Sequence, residues 1–170
     1  TASAAAMLTW IFFDRINGRK VSALGACIGA VVGLVSITPA AGYVSVPESM
    51  FFGFIAAIVS NFVVHAKFLN RIDDTLDVFA CHGVGGIMGM ILTAIFAHGE
   101  EASLLHGGWG VFGHHMMALV LVSIFTFFGA YILFKITNRI IPMRVSEESE
   151  IIGLDLSQHD ETLFPIECTE

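Results

Sequence analysis

The chain has 170 residues, of which 55% are hydrophobic and only 14% charged, with a mean hydropathy of +0.78. A soluble domain carries about 25% charged residues and a disordered chain is poor in apolar ones, so both classes are excluded in favour of a bilayer-embedded protein. A net charge of −7 excludes a strongly basic nucleic-acid binder.

Four stretches carry no charged side chain: residues 21–47, 49–66, 78–99 and 102–134. With the shorter apolar start they predict an all-α membrane protein of about five helices: Thr1–Phe13, Val21–Val46, Ser49–Ala66, Leu76–His98 and Val111–Phe134. Thr1–Phe13 is shorter than the roughly 20 residues a crossing needs, so the first helix is expected to have lost its start and the chain to be a fragment or processed piece. Asn17-Gly18, Pro39, Pro47, Asn70 to Asp74, and Gly107-Gly108 mark the connections. Pro39 is expected to end or kink the second helix. The fifth helix, rich in Phe and Leu, is expected to face lipid.

Charge divides the chain into a transmembrane region, 1–144, with all 8 Lys and Arg and a net charge of +1, and a tail, 145–170, with a net charge of −8. Arg15, Arg19 and Lys20 follow the first helix, Lys67 and Arg71 the third, and Lys135, Arg139 and Arg144 the fifth. The basic residues therefore fall on alternate connections, which predicts an external amino end and a cytoplasmic tail in a multi-pass protein of the cell membrane. Cys27 and Cys81 lie in apolar runs and Cys168 in the tail, with no metal or disulfide spacing. The expectation is two small buried hydrophobes and one tail thiol.

Gly25, Gly29 and Gly33 recur every four residues, as do Gly85 and Gly89, with Gly83 and Gly86 beside them. Small residues at this spacing allow membrane helices to approach closely.

His82 is the most informative residue. It lies in an apolar run, roughly 9 Å inside the inner end of the fourth helix, on one face with Val78, Gly85, Gly86 and Gly89. An ionisable group there lines a cavity or meets a partner, and imidazole handles protons near neutral pH. Two roles fit: a functional group in a pathway, or a neutral imidazole bonded to a carbonyl of the next helix. Asp73, Asp74 and Asp77 stand at the start of that helix, where carboxylates favour the dipole and Asp73 or Asp74 can cap. Asp77, one turn inside, can instead bond a neighbouring helix end. His65 sits at an inner helix end, His98, His106, His114 and His115 near the outer surface, and His159 in the tail. A bis-histidine haem needs two ligands at one depth, and His82 lacks the second. No Gly-rich phosphate loop, paired-Cys zinc signature or Gly-x-Ser-x-Gly elbow occurs, so no enzyme activity, catalytic residue, metal or cofactor is expected. In the tail, Ile151, Ile152, Leu154 and Leu156 interrupt the acids and suggest a segment that docks, against a solvated acidic end.

Three segments resemble the ammonium transporter family (the Amt, MEP and Rh proteins): Asp73-Asp74-Thr-Leu-Asp77-Val-Phe-Ala-Cys-His82-Gly-Val-Gly-Gly-Ile, Ser36-Ile-Thr-Pro39-Ala-Ala-Gly-Tyr43, and Glu150-Ile-Ile-Gly153-Leu-Asp155-Leu-Ser-Gln-His159. The resemblance covers nearly the whole chain. It implies helices seven to eleven of an eleven-helix fold of two inverted halves, assembled as a homotrimer with one pore per subunit. It implies that ammonium sheds a proton and crosses as ammonia through an apolar pore lined by two histidines. His82 matches the second of them, and Asp77, Gly83, Gly85 and Gly86 support its helix. The first histidine belongs to an amino-terminal half outside this sequence. The family also implies a nitrogen-regulatory P-II protein as cytoplasmic partner. The tail is expected to dock at Gly153, Leu154, Asp155 and His159 against Arg15, Arg19, Lys20, Lys67 and Arg71. The alternatives are an ammonium sensor of the same family and a haem- or quinone-binding membrane protein.

Overall fold

The computed structural model describes residues 1–66, 74–99 and 103–161. Asp73, Lys67, Arg71 and Cys168, all named above, lie outside them. Every regular element among the described residues is helical. The first three helices are α1 (Ala2–Ile16), α2 (Ala23–Ile37) and α3 (Val46–Val64). A π-helical segment, Phe79–Val84, then leads into α4 (Gly85–Phe96). They are followed by α5 (Trp109–Ile140), α6 (Glu147–Ile152) and α7 (Leu154–His159). Four stretches are long and apolar enough to cross a bilayer: Ala23–Ala40, Val46–Val64, Phe79–Phe96 and Trp109–Ile140. With the 15-residue α1, five apolar helical segments follow one another in the expected order.

The ends follow local chemistry. Ser22 caps α2, its Oγ accepting from Gly25 N at 3.0 Å. Pro39 has no N–H to continue the ladder, so α2 stops at Ile37 and tightens into a 3₁₀ turn, Thr38–Ala40. Pro47 sits in the first turn of α3, and Glu48 Oε2 accepts from both Ser45 N and Ser45 Oγ at 2.7 Å. α5 runs six residues past the expected Phe134, through the polar stretch Lys135–Ile140.

The chain divides into two compact units, Thr1–Val122 and Ser123–Glu170, with the boundary inside α5. In the first unit, α1 packs on α2 and α3 through small residues. A Cβ on Gly33 would lie 2.6 Å from Ala2 O, 2.7 Å from Ser3 Cα and 2.7 Å from Ala6 Cβ; one on Gly29 would lie 2.6 Å from Trp10 Cβ. Gly53 meets the Ala2 backbone and Gly89 the Ser36 backbone with as little room. In a bilayer the contact itself, rather than escape from water, holds helices together. One buried cluster joins Ala6, Trp10, Val32, Ala56, Ala57 and Cys81; another joins Ala40, Phe52 and Leu92. Cys81 is buried as expected. Cys27 is exposed, a correction: the buried face of α2 is set by Gly25, Gly29, Val32, Gly33 and Ser36, and Cys27 falls off it. In the second unit, the α5 segment and the tail helices bury no residue.

Candidate functional site

The start of the fourth helical stretch sets the site. Both carboxylate oxygens of Asp74 accept backbone N–H groups, from Val78 at 2.9 Å and Phe79 at 2.8 Å. These satisfy donors that have no partner inside the helix. Asp77 adopts φ 52°, a left-handed conformation uncommon for a non-glycine residue. The helix therefore starts at Val78 rather than Leu76. Burial, and next the Asp74 carboxylate, push the Asp77 carboxyl above its usual range, with His65 opposing them. The Asp77 side chain makes no hydrogen bond among the described residues.

Phe79–Val84 then closes π-type turns, and His82 lies within them. Composition gave no signal for this insertion. Such turns concentrate at functional sites, because the extra residue re-aims side chains. Ala80 and Cys81 are buried, and Cys81 packs into the cluster of Trp10 and Ala57. His82 is turned the other way and is exposed. Val78, Phe79 and Ile87 are exposed beside it. Its imidazole has no hydrogen-bond partner among the described residues, so the carbonyl-bonded role is not met among them. The result is an ionisable ring on an apolar, outward-facing helix surface inside a membrane span.

The three glycines expected to support this helix differ. Gly85 is buried, and a Cβ there would sit 3.4 Å from Val35 Cγ1. A Cβ on Gly83 would meet the Phe79 ring at 3.2 Å. One on Gly86 would meet nothing within 4 Å, so this glycine keeps the His82 side of the helix open.

Sequence reasoning missed two polar clusters. Asn61 Nδ2 donates to Asp14 Oδ1 at 2.9 Å, and the Arg19 guanidinium donates to Asn61 Oδ1 at 2.8 Å and to Asp14 Oδ1 at 3.4 Å. Asp14 and Asn61 are buried. The available signal was register: Asp14 continues the buried stripe Ala2, Ala6, Trp10. Arg19 is thus turned towards Asp14 and Asn61. One turn past Asn61, His65 Nδ1 lies 2.8 Å from the Asn61 carbonyl oxygen. The second cluster joins the start of α3 to the end of α4: His98 Nε2 meets Glu48 Oε2 at 2.9 Å, and His98 N donates to Tyr43 O at 2.6 Å.

In the tail, Gly153 has φ 100° and ψ 138°, which side-chain-bearing residues rarely adopt. It ends α6 and starts α7, and Ser157 Oγ reaches back to Ser149 O at 3.2 Å. Arg144 grips Glu150 in two bonds, 2.8 and 3.0 Å, and holds that carboxyl below its usual range. Leu154 and Leu156 are exposed, Asp155 lies in the first turn of α7 and His159 in the last.

The family model of the Ammonium Transporter Family matches residues 1–164. The chain belongs to the ammonium transporter family. It is 39% identical over 169 residues to a putative ammonium transporter of Methanothermobacter thermautotrophicus, covering 95% of this chain and 42% of that protein. It is 37% identical over 172 residues to the ammonium transporter of Bacillus subtilis, covering 96% and 42%. The crystal structure of Candida albicans Mep2 superposes with a TM-score of 0.78 at 37% identity, over 92% of this chain and 37% of that one. A structure titled Sensor Amt Protein superposes with a TM-score of 0.78 at 25% identity, over 92% and 39%. The chain thus spans about two fifths of the length of these ammonium transporter relatives.

Proposed function

We propose that this chain supplies the carboxy-terminal part of a transmembrane pore for ammonium nitrogen, and that His82 lines the pore. The observation that carries the reading is an exposed imidazole, with no hydrogen-bond partner among the described residues, on a π-turn inside an apolar span of a chain in the ammonium transporter family. A cation in such a path is expensive, while neutral ammonia is not. His82 would meet an imidazole from the amino-terminal part and hold ammonia or relay its proton. The open space at Gly86 leaves room for a passage there. On this reading the parent is a homotrimer in the cell membrane with the tail in the cytoplasm. Gly153, Leu154, Asp155 and His159 would form a docking hairpin on the cytoplasmic side, where a P-II protein would bind. The exposed leucines and the glycine turn support the hairpin.

The test is uptake into proteoliposomes by this chain alone and by this chain joined to the amino-terminal part of the Bacillus subtilis ammonium transporter. Uptake only in the joined protein is expected. A joined, folded protein that carries no ammonium contradicts the proposal. The likeness to the Sensor Amt Protein keeps a sensor as second reading; ammonium binding without any flux in the same liposomes would favour it.

A further inference from the structure

The buried pair Asp14 and Asn61, with the partly buried Arg19, lies outside the pathway assigned to His82, yet it is costly to build. A buried carboxylate is stable only when its partners are well placed, and removing one partner leaves an uncompensated charge. Here the partners come from three places: Asp14 near the end of α1, Arg19 in the following loop, and Asn61 near the end of α3. The loop is itself tied back, with Arg19 N donating to Asp14 O at 2.9 Å. Exposed Arg15 and Lys20 make no ion pair among the described residues, so the inward turn of Arg19 is specific.

One turn before Asp14 on α1 is Trp10, and one turn before Asn61 on α3 is Ala57. Both belong to the buried cluster that contains Cys81. Val64 packs on the same cluster from the last turn of α3. Cys81 directly precedes His82. The polar group therefore ties α1 to α3 one turn from the buried cluster that backs the π-turn, and α3 packs on that turn directly.

We propose that Asp14, Asn61 and Arg19 form a latch that sets the orientation of His82, acting as positioning residues through Trp10, Ala57, Val64 and Cys81. Its bearing on transport rests on the reading of His82 as a pore residue, but the latch can be tested without transport. The full 170-residue chain is placed in phosphatidylcholine nanodiscs, and the rate of diethyl pyrocarbonate acylation at His82 is read by mass spectrometry. His98, at the far end of α4, serves as the internal control.

Asp14→Asn, Asn61→Leu and Arg19→Gln are each expected to change the His82 rate by at least about twofold, the lower end of coupling in a connected network, with His98 unchanged. The double swap Asp14→Asn with Asn61→Asp restores one carboxylate and one carboxamide facing Arg19, and is expected to return the rate towards that of the unaltered chain. Arg19 is only partly buried, so Arg19→Gln keeps the test valid if a core variant does not fold. Unchanged His82 rates in Arg19→Gln and Asp14→Asn overturn the latch. A changed rate that the swap does not restore also overturns it, since the effect is then local damage at each site. A latch that passes while the joined protein fails to carry ammonium would count against the pore reading alone.

Discussion

Asp77 combines an unfavourable backbone with an unfavourable charge, and substitutions separate the two. Its φ of 52° suits Asn as well as Asp, because short polar side chains tolerate the left-handed region. Asp77→Asn therefore removes only the charge. The folded carboxyl is raised, so its stabilising contribution is complete below the ordinary Asp range and is lost as pH rises through the raised value. Thermal unfolding is expected to show Asp77→Asn more stable than the unaltered chain at neutral pH, with the gap closing in acid. A gap that widens in acid would contradict the assignment. Asp77→Val places a β-branched residue at the same φ and is expected to cost about 1–3 kcal/mol in the same assay. His82 stood out in the sequence as an ionisable residue inside an apolar run. Asp14 and Asn61 did not, because their bond joins residues 47 positions apart and exists only once α1 and α3 have packed.

At the scale of the helix, glycines of one sequence pattern do different things. Gly33 sits against the α1 backbone, so Gly33→Ala pushes two helices apart and is expected to cost about 1–3 kcal/mol in a denaturant titration. A Cβ on Gly86 meets no neighbour within 4 Å, and Gly86→Leu is expected to leave stability unchanged. It fills the space beside His82, so the transporter built from this chain should lose ammonium uptake; full uptake would place the pathway elsewhere. Spacing alone could not separate these glycines, since Gly85, Gly86 and Gly89 all lie in one short run. Nor could it find the π-turn, which inserts one residue into a turn without changing composition. Pro39 was legible, because a missing N–H acts whatever surrounds it. In the tail, Gly153→Ala strains a backbone at φ 100° by about 1–3 kcal/mol. Limited proteolysis is expected to cut the α6–α7 hairpin faster in that variant. Unchanged protection would mean that the turn does not need glycine.

Across the whole molecule, uncharged runs gave the order of the helices and the class of protein, because a bilayer leaves few ways to satisfy a backbone. The exposed apolar surface around His82 then takes on a definite meaning. On a soluble protein it would be a liability. In a chain of the ammonium transporter family that spans about two fifths of its relatives' length, it is where a second wall of the pore is proposed to sit. The central claim is that the imidazole of His82 takes part in conduction. Its most direct test is the ammonium-elicited current across a supported bilayer, recorded for the joined transporter and its His82→Ala variant at equal amounts of folded protein. The variant is expected to lose the current, or to lose its discrimination between ammonium and potassium; the same current with the same selectivity would contradict a role for His82 in conduction.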